Sequence, residues 1–278
     1  MVSINKNGEA NIGFTGDEMK NNEALCGGRE NKIFRKSDRV VRPTGDWTPY
    51  VHDFLNFLIE KGFTIVPQPF GINEKGEEIL SFVQGAVYND PLPEFMLQDN
   101  MIKSSAKLLR GYHEVSGTYI DKLTKEEVWM LPSVNPIEVM CHGDFAPYNV
   151  TIIEGEATGI IDFDTLHPGP KMWDIAYAVY RWVPFVNPVN PDCSFSLEEQ
   201  IRKSRLFLDT YGVKNEERDL LPQMMVDRLT NLVNYMRNQA DEGNEDFRRN
   251  IEEGHMEVYL KDIQYILKNE SMILEGIK

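Results

Sequence analysis

A chain of 278 residues and 32.0 kDa has enough interior for one large domain or two lobes without disulfide or metal staples. Its 41% hydrophobic and 26% charged residues are ordinary for a packed globular protein, which excludes global disorder and a fibrous design. A formal charge of −15, with a pI near 4.8, argues against nucleic acid as a partner, because such a field repels phosphate backbones and attracts cations.

The first twenty-odd residues are polar and rich in Gly and Asn, with no apolar signal-peptide core, and regular structure is expected from about Ala24. "NKIFRKSDRVVRP" alternates apolar and polar residues on either side of Ser37-Asp38, the pattern of a hairpin with one buried face, and Pro43 ends its second strand. "TPYVHDFLNFLIEKGF" sets Val51, Phe54, Leu55 and Leu58 at helical spacing, with Thr48 as expected N-cap, Pro49 in the first turn and Gly62 as stop. "FTIVPQPFGINEKGEEILSFVQG" reads as strand, turn at Asn73 to Gly76, and strand. Residues 1–84 are therefore expected to form a small sheet-plus-helix unit.

From Gly85 the texture changes, and a second unit is expected over 85–278. "MLQDNMIKSSAKLLRGYHEV" carries a helical stripe of Met101, Ala106, Leu108, Leu109 and Tyr112. "VMCHGDFAPYNVTII" and "ATGIIDFDTL" are short apolar runs around a loop, expected to pair as strands. Helical periodicity follows over 197–211, 216–241 and 245–273, with Ser196 as N-cap ahead of two first-turn carboxylates. Cys26, Cys141 and Cys193 form no CxxC pair, so neither a disulfide framework nor a zinc site is indicated, and a reducing compartment fits. No run of about twenty apolar residues occurs, so no membrane partner is expected and the expected location is the cytoplasm.

The chemistry concentrates in "CHGDFAPYNV" and, beginning ten residues after its last, "IIDFD". Asp144 and Asn149 lie five residues apart on a loop restrained by Pro147, and Asp162 ends an apolar run. Phosphoryl transfer asks for a carboxylate to orient and deprotonate a hydroxyl, oxygen ligands for Mg²⁺ and positive charge on the phosphates. Asp144 can be the first, and Asn149 with Asp162 can share the second. A strand period of two would point Asp164 the same way as Asp162, to add charge near the metal or to cap the following turn. A glycosidase reading of "DFD" leaves "HGDFAPYN" unexplained, and neither GxSxG nor a Walker phosphate loop is present.

"HGDFAPYN" followed by "IIDFD" resembles the catalytic and metal-binding segments of the aminoglycoside phosphotransferase-like family, relatives of protein kinases, and the similarity extends from about Leu25 to Trp182. The resemblance implies a two-lobed α+β kinase-like fold: a small antiparallel sheet with one helix, then a larger, mainly helical lobe. It also implies Asp144 as catalytic base, Asn149 and Asp162 as Mg²⁺ ligands, and His142 and Asp174 as structural supports. "CGGREN" falls where a loop would cover the nucleotide, with Gly27 and Gly28 permitting backbone approach to phosphate, although two glycines also suit a plain turn. Arg42 matches the position of a phosphate-gripping Lys.

Two departures stand out. His52, Asp53 and Glu60 on the following helix offer no assignable acidic partner for Arg42, and Ala146 replaces a residue that is often basic in relatives. The expected activity is transfer of the γ-phosphoryl group of ATP or GTP to a hydroxyl of a small molecule, with an aminoglycoside or other cation among the acceptors. The acidic stretch "NQADEGNEDF" either attracts such a cation or is a solvated face. A nucleotide-binding pseudokinase without turnover is the alternative.

Overall fold

The computed structural model describes residues 23–24, 33–124 and 126–278. Five antiparallel strands open the chain: β1 (Glu23–Ala24), β2 (Phe34–Lys36), β3 (Arg39–Pro43), β4 (Pro69–Ile72) and β5 (Glu77–Ser81), in the order β1-β2-β3-β5-β4. The β2–β3 turn is Ser37-Asp38, and β3 stops at Pro43, which has no N–H to continue the ladder. Helix α1 (Thr48–Glu60) intervenes between β3 and β4. Thr48 is not its N-cap: Trp47 holds that position without a side-chain cap, while the Thr48 hydroxyl accepts from Gly45 N–H at 2.9 Å. That bond fixes the turn entering the helix, and Pro49 follows in the first turn.

The buried face of α1, Val51, Phe54, Leu55 and Leu58, reaches beyond its own sheet. The Phe54 ring lies 5.1 Å from Tyr119 and 6.4 Å from Phe163, coupling the helix to the segment that carries Asp162. Burying such a ring stabilises by about 2 kcal/mol. After β5 the chain turns at Gly85 (φ +122), where a Cβ would sit 2.8 Å from Thr151 Cβ. Ala86 then makes an isolated antiparallel bridge to Ile152 through two backbone bonds of 3.0 and 2.7 Å.

The larger part begins with α2 (Asp99–Ser116) and continues through β6 (Val139–Cys141), β7 (Val150–Ile153), β8 (Glu156–Ile160) and β9 (His167–Gly169). β7 and β8 pair as the two apolar runs suggested, but β6 pairs with β9. This second antiparallel pairing brings His167–Gly169 back beneath the loop that follows β6. The helices α3 (Lys171–Trp182), α4 (Leu197–Tyr211), α5 (Asn215–Arg218), α6 (Leu221–Asp241), α7 (Glu245–Glu252), α8 (His255–Lys268) and α9 (Glu270–Gly276) complete the chain. Ser196 caps α4 by accepting from Glu199 N–H. The expected helix over 216–241 is interrupted before Pro222, and that over 245–273 breaks at Gly254, whose φ of +86° no helix tolerates. The arrangement is a small antiparallel sheet with one helix followed by a larger, mainly helical part, and its described residues include no helix long and apolar enough to cross a membrane.

Candidate active site

The loop after β6 is fixed from below by one carboxylate. Gly143 has φ +80°, and a Cβ there would come within 2.4 Å of Thr165 O, so this turn admits only glycine. Asp174, in the first turn of α3, accepts from His142 N–H at 2.6 Å, from Gly143 N–H at 2.8 Å and from the His113 ring at 3.1 Å. Burial alone would raise its pKa, but His113 and the backbone donors outweigh that and hold the carboxyl below its ordinary range. The other nitrogen of His113 shares a hydrogen bond of 2.7 Å with the Tyr211 hydroxyl, so the brace extends to α4.

His142 lies fully buried under the loop. Its Nε2 donates to Ile161 O at 3.0 Å, its Nδ1 accepts from Asp144 N–H at 3.3 Å, and its ring centroid is 4.8 Å from that of Phe163. The imidazole thus joins the Asp144 loop to the Asp162 segment. A second strut runs from Ile161 N–H to Asn149 O at 2.9 Å.

Each oxygen of the Asp144 carboxylate accepts one hydrogen bond: Oδ1 from the Tyr148 hydroxyl at 2.7 Å and Oδ2 from Asn149 Nδ2 at 2.9 Å. Asn149 Nδ2 also donates to Asp144 O at 3.0 Å, which leaves the amide oxygen to face any cation. Tyr148 stays protonated, because burial and the neighbouring Asp144 both push its pKa well up. Its oxygen lies 3.2 Å from the Tyr177 hydroxyl, a second phenol held protonated by burial.

Arg42 stands at the other edge of the site, buried on β3 and occupied at all three nitrogens. Nε donates to Glu78 at 2.6 Å, Nη1 to Asp162 at 2.7 Å and Nη2 to Asp164 at 3.0 Å. Burial opposes its charge, but Asp164, Asp162 and Glu78 prevail and hold the guanidinium above its ordinary value. Glu78 faces Arg42 across the β3–β5 ladder, and its second oxygen meets His52 Nε2 of α1 at 2.7 Å. The acidic partner of Arg42 therefore comes from the adjacent strand, with His52 of the helix one step further out.

The expectation that Asp162 and Asp164 share a strand face is corrected. β8 ends at Ile160, Asp162 adopts a left-handed conformation (φ 64°, ψ 71°), and Phe163–Thr165 form a 3₁₀ turn. A non-glycine residue there costs about 1 kcal/mol, a strain that the ion pair with Arg42 offsets. Asp164 also accepts from Trp47 Nε1 at 3.1 Å. The Asp162 side chain remains about half exposed, at 47%.

A cavity of about 430 Å³ opens beside Asp144 and Tyr148. Trp173 and Tyr177 of α3, Phe247 of α7 and Tyr259 of α8 contribute rings, while α6 contributes Arg228 and Asn231. The guanidinium carbon of Arg228 lies 4.2 Å from the Tyr177 ring centroid, and that of Arg181 lies 5.3 Å from Tyr148. Arg228 thus brings positive charge to the cavity, whereas the charge of Arg181 is paired with Asp90. The acidic stretch 238–247 does not supply the cavity with carboxylates: Glu245 pairs with Arg248 and Asp246 with Arg249 on an exposed face.

The structure brings Asp144, Asn149, Asp162, Arg42, His142 and Asp174 into one connected network, whereas Gly27 and Gly28 lie outside the described residues. Sequence reasoning missed Glu78, Tyr148, Tyr177 and Arg228. A cross-strand opposite charge was a signal available for Glu78, once β3 and β5 were paired. No local pattern distinguishes Tyr177 or Arg228 from other helical residues.

Residues 118–192 match the model of the phosphotransferase enzyme family, a span that includes Asp144, Asn149, Asp162 and Asp174. The trifolitoxin immunity protein of Rhizobium leguminosarum bv. trifolii is 26% identical over 211 residues, covering 72% of this chain and 77% of that protein. Among solved structures, a choline/ethanolamine kinase family protein from Mesorhizobium loti superposes with a TM-score of 0.62 at 16% identity, covering 95% of this chain and 93% of that one. A GDP complex of an aminoglycoside 2′-phosphotransferase gives 0.60 at 14% identity, covering 90% and 92%. The sequence resemblance to the aminoglycoside phosphotransferase-like family holds, and the fold is that of small-molecule kinases.

Proposed function

We propose that this protein transfers the γ-phosphoryl group of ATP or GTP to a hydroxyl of a small molecule, with residues 1–84 covering the nucleotide and 85–278 carrying catalysis and the acceptor. The observation that carries this reading is Asp144, whose two oxygens are each fixed by one donor at the mouth of a ring-lined cavity. A carboxylate so oriented can accept the acceptor hydroxyl's proton as the oxygen attacks the phosphoryl group. Tyr148 and Asn149 aim it, while His142 and Asp174 keep the loop from shifting.

The donor set fits Mg²⁺. Asn149 has its amide oxygen left for a cation, and Asp162 offers a half-exposed carboxylate. Asn149 and Asp162 would hold the ion, which when bound screens the nucleotide phosphates. Arg42 orients Asp162 and lends charge to the phosphates, and Gly27 and Gly28 let the backbone approach them. A cytoplasmic location agrees with this use of nucleotide.

A pseudokinase reading draws on the engagement of Arg42, since three of its five N–H groups already donate to carboxylates and only two are left for phosphate. The oriented Asp144 favours the enzyme. Incubation with Mg²⁺ and γ-labelled ATP or GTP, with a panel of hydroxyl compounds, separates the two. Acceptor-dependent label transfer is expected; nucleotide binding with no transfer to any acceptor would establish the regulatory reading instead.

A further inference from the structure

We infer that the acceptor carries a carboxylate that pairs with Arg228, on an apolar or ring-bearing body, and is not a polycation. The inference rests on the reading of Asp144 as the group that receives the acceptor hydroxyl. Arg228 is 6% exposed and lines the cavity beside Asp144. One nitrogen, Nη2, donates to Gly143 O, while Nε is buried without a hydrogen-bond partner. Among the described residues no carboxylate forms an ion pair with it, whereas the equally buried Arg42 pairs with Glu78 and Arg218 with Asp209. An enclosed guanidinium without a counter-ion is costly to maintain, and an anionic ligand removes that cost.

The rest of the lining agrees. Asp144 is the one carboxylate among the described residues that line the cavity, and it is committed to the hydroxyl, so several ammonium groups would find no carboxylate counter-ions there. Asn231, Asn234 and Asn238 follow Arg228 along α6 at spacings of three, six and ten residues, a polar stripe of neutral amides on one helix face. Amides bond hydroxyl or carbonyl groups without selecting a charge. Trp173 and Tyr177 flank the guanidinium at 5.9 and 4.2 Å and offer flat apolar walls. A volume of about 430 Å³ suits a single compact ligand. The overall charge of −15 slows an anion's approach but does not set what the enclosed cavity holds.

The test uses three matched compounds, 4-(hydroxymethyl)benzoate, its primary amide and 4-(hydroxymethyl)benzylamine, titrated by calorimetry into the full chain without nucleotide. The benzoate is expected to bind roughly tenfold more tightly than the amide, as a charge-assisted hydrogen bond implies, with the amine weakest. In Arg228→Gln the gap between benzoate and amide should close, and in Arg228→Lys part of it should return. If Arg228→Gln does not fold, the wild-type series decides alone. Equal binding of benzoate and amide, tighter binding of the amine, or no binding of any of the three overturns the inference. Label transfer from ATP or GTP is read separately. Benzoate preference without transfer to any hydroxyl compound defeats the proposed activity and leaves the anion site standing, whereas transfer to the amine but not the benzoate does the reverse.

Discussion

The buried carboxylate of Asp174 meets two backbone N–H groups and one histidine ring, whereas the buried guanidinium of Arg42 meets three carboxylates. The first network is closed: a single charge is surrounded by donors, and the loop it holds includes a glycine that no other residue can replace. The second is open: three carboxylates share the Arg42 guanidinium, and the Asp162 side chain is about half exposed. The contrast teaches which part of the site is scaffold and which part waits for a ligand. A scaffold enclosed by its own donors is indifferent to added ions, while an anionic cluster beside a half-exposed aspartate changes when a divalent cation arrives.

Three substitutions can break this contrast. Asp174→Ala should have the largest effect on stability, about 3 to 5 kcal/mol by denaturant unfolding, because it orphans buried donors at His142, Gly143 and His113. Adding Mg²⁺ should recover none of that loss. Arg42→Met should cost about 3 kcal/mol by leaving three carboxylates to repel one another. Here Mg²⁺ should restore part of the melting temperature, by a larger increment than in wild type; equal increments would remove the distinction between open and closed networks. Glu78→Gln should cost only about 1 kcal/mol, since Arg42 keeps two carboxylates and His52 loses one charged partner.

Acid titration sharpens the same comparison with a smaller effect. The folded pKa of Asp174 is depressed, so its contribution is complete above an unfolded value of about 4 and is lost as pH falls below that toward the folded value. Wild-type stability should therefore fall below pH 4 more steeply than that of Asp174→Asn, as measured by urea midpoints. Parallel curves would mean that Asp174 does not gain from ionisation in the fold.

The sequence was legible where chemistry is local. The hairpin at Ser37-Asp38 and the amphipathic stripe of α1 follow from spacing alone, and so do the His-Gly-Asp turn and the Asn five residues after it. Less legible were contacts that depend on which distant elements meet. Glu78 reaches Arg42 only because β5 pairs with β3, and β6 finds β9 rather than the nearer strands. Asp162 and Asp164 converge on one guanidinium through a left-handed residue and a 3₁₀ turn, a conformation that an apolar run ending in Asp does not announce. Arg228 lies 84 residues beyond Asp144, and only the packing of α6 against α3 brings it to the cavity.

The most direct test of the whole account is γ-phosphoryl transfer by Asp144→Asn, with Mg²⁺-nucleotide affinity measured on the same preparation. Asn keeps the shape and one acceptor oxygen but cannot take a proton. Nucleotide affinity should stay within about threefold of wild type, and the transfer rate should fall by about 10² to 10⁴. An unchanged transfer rate would contradict the account.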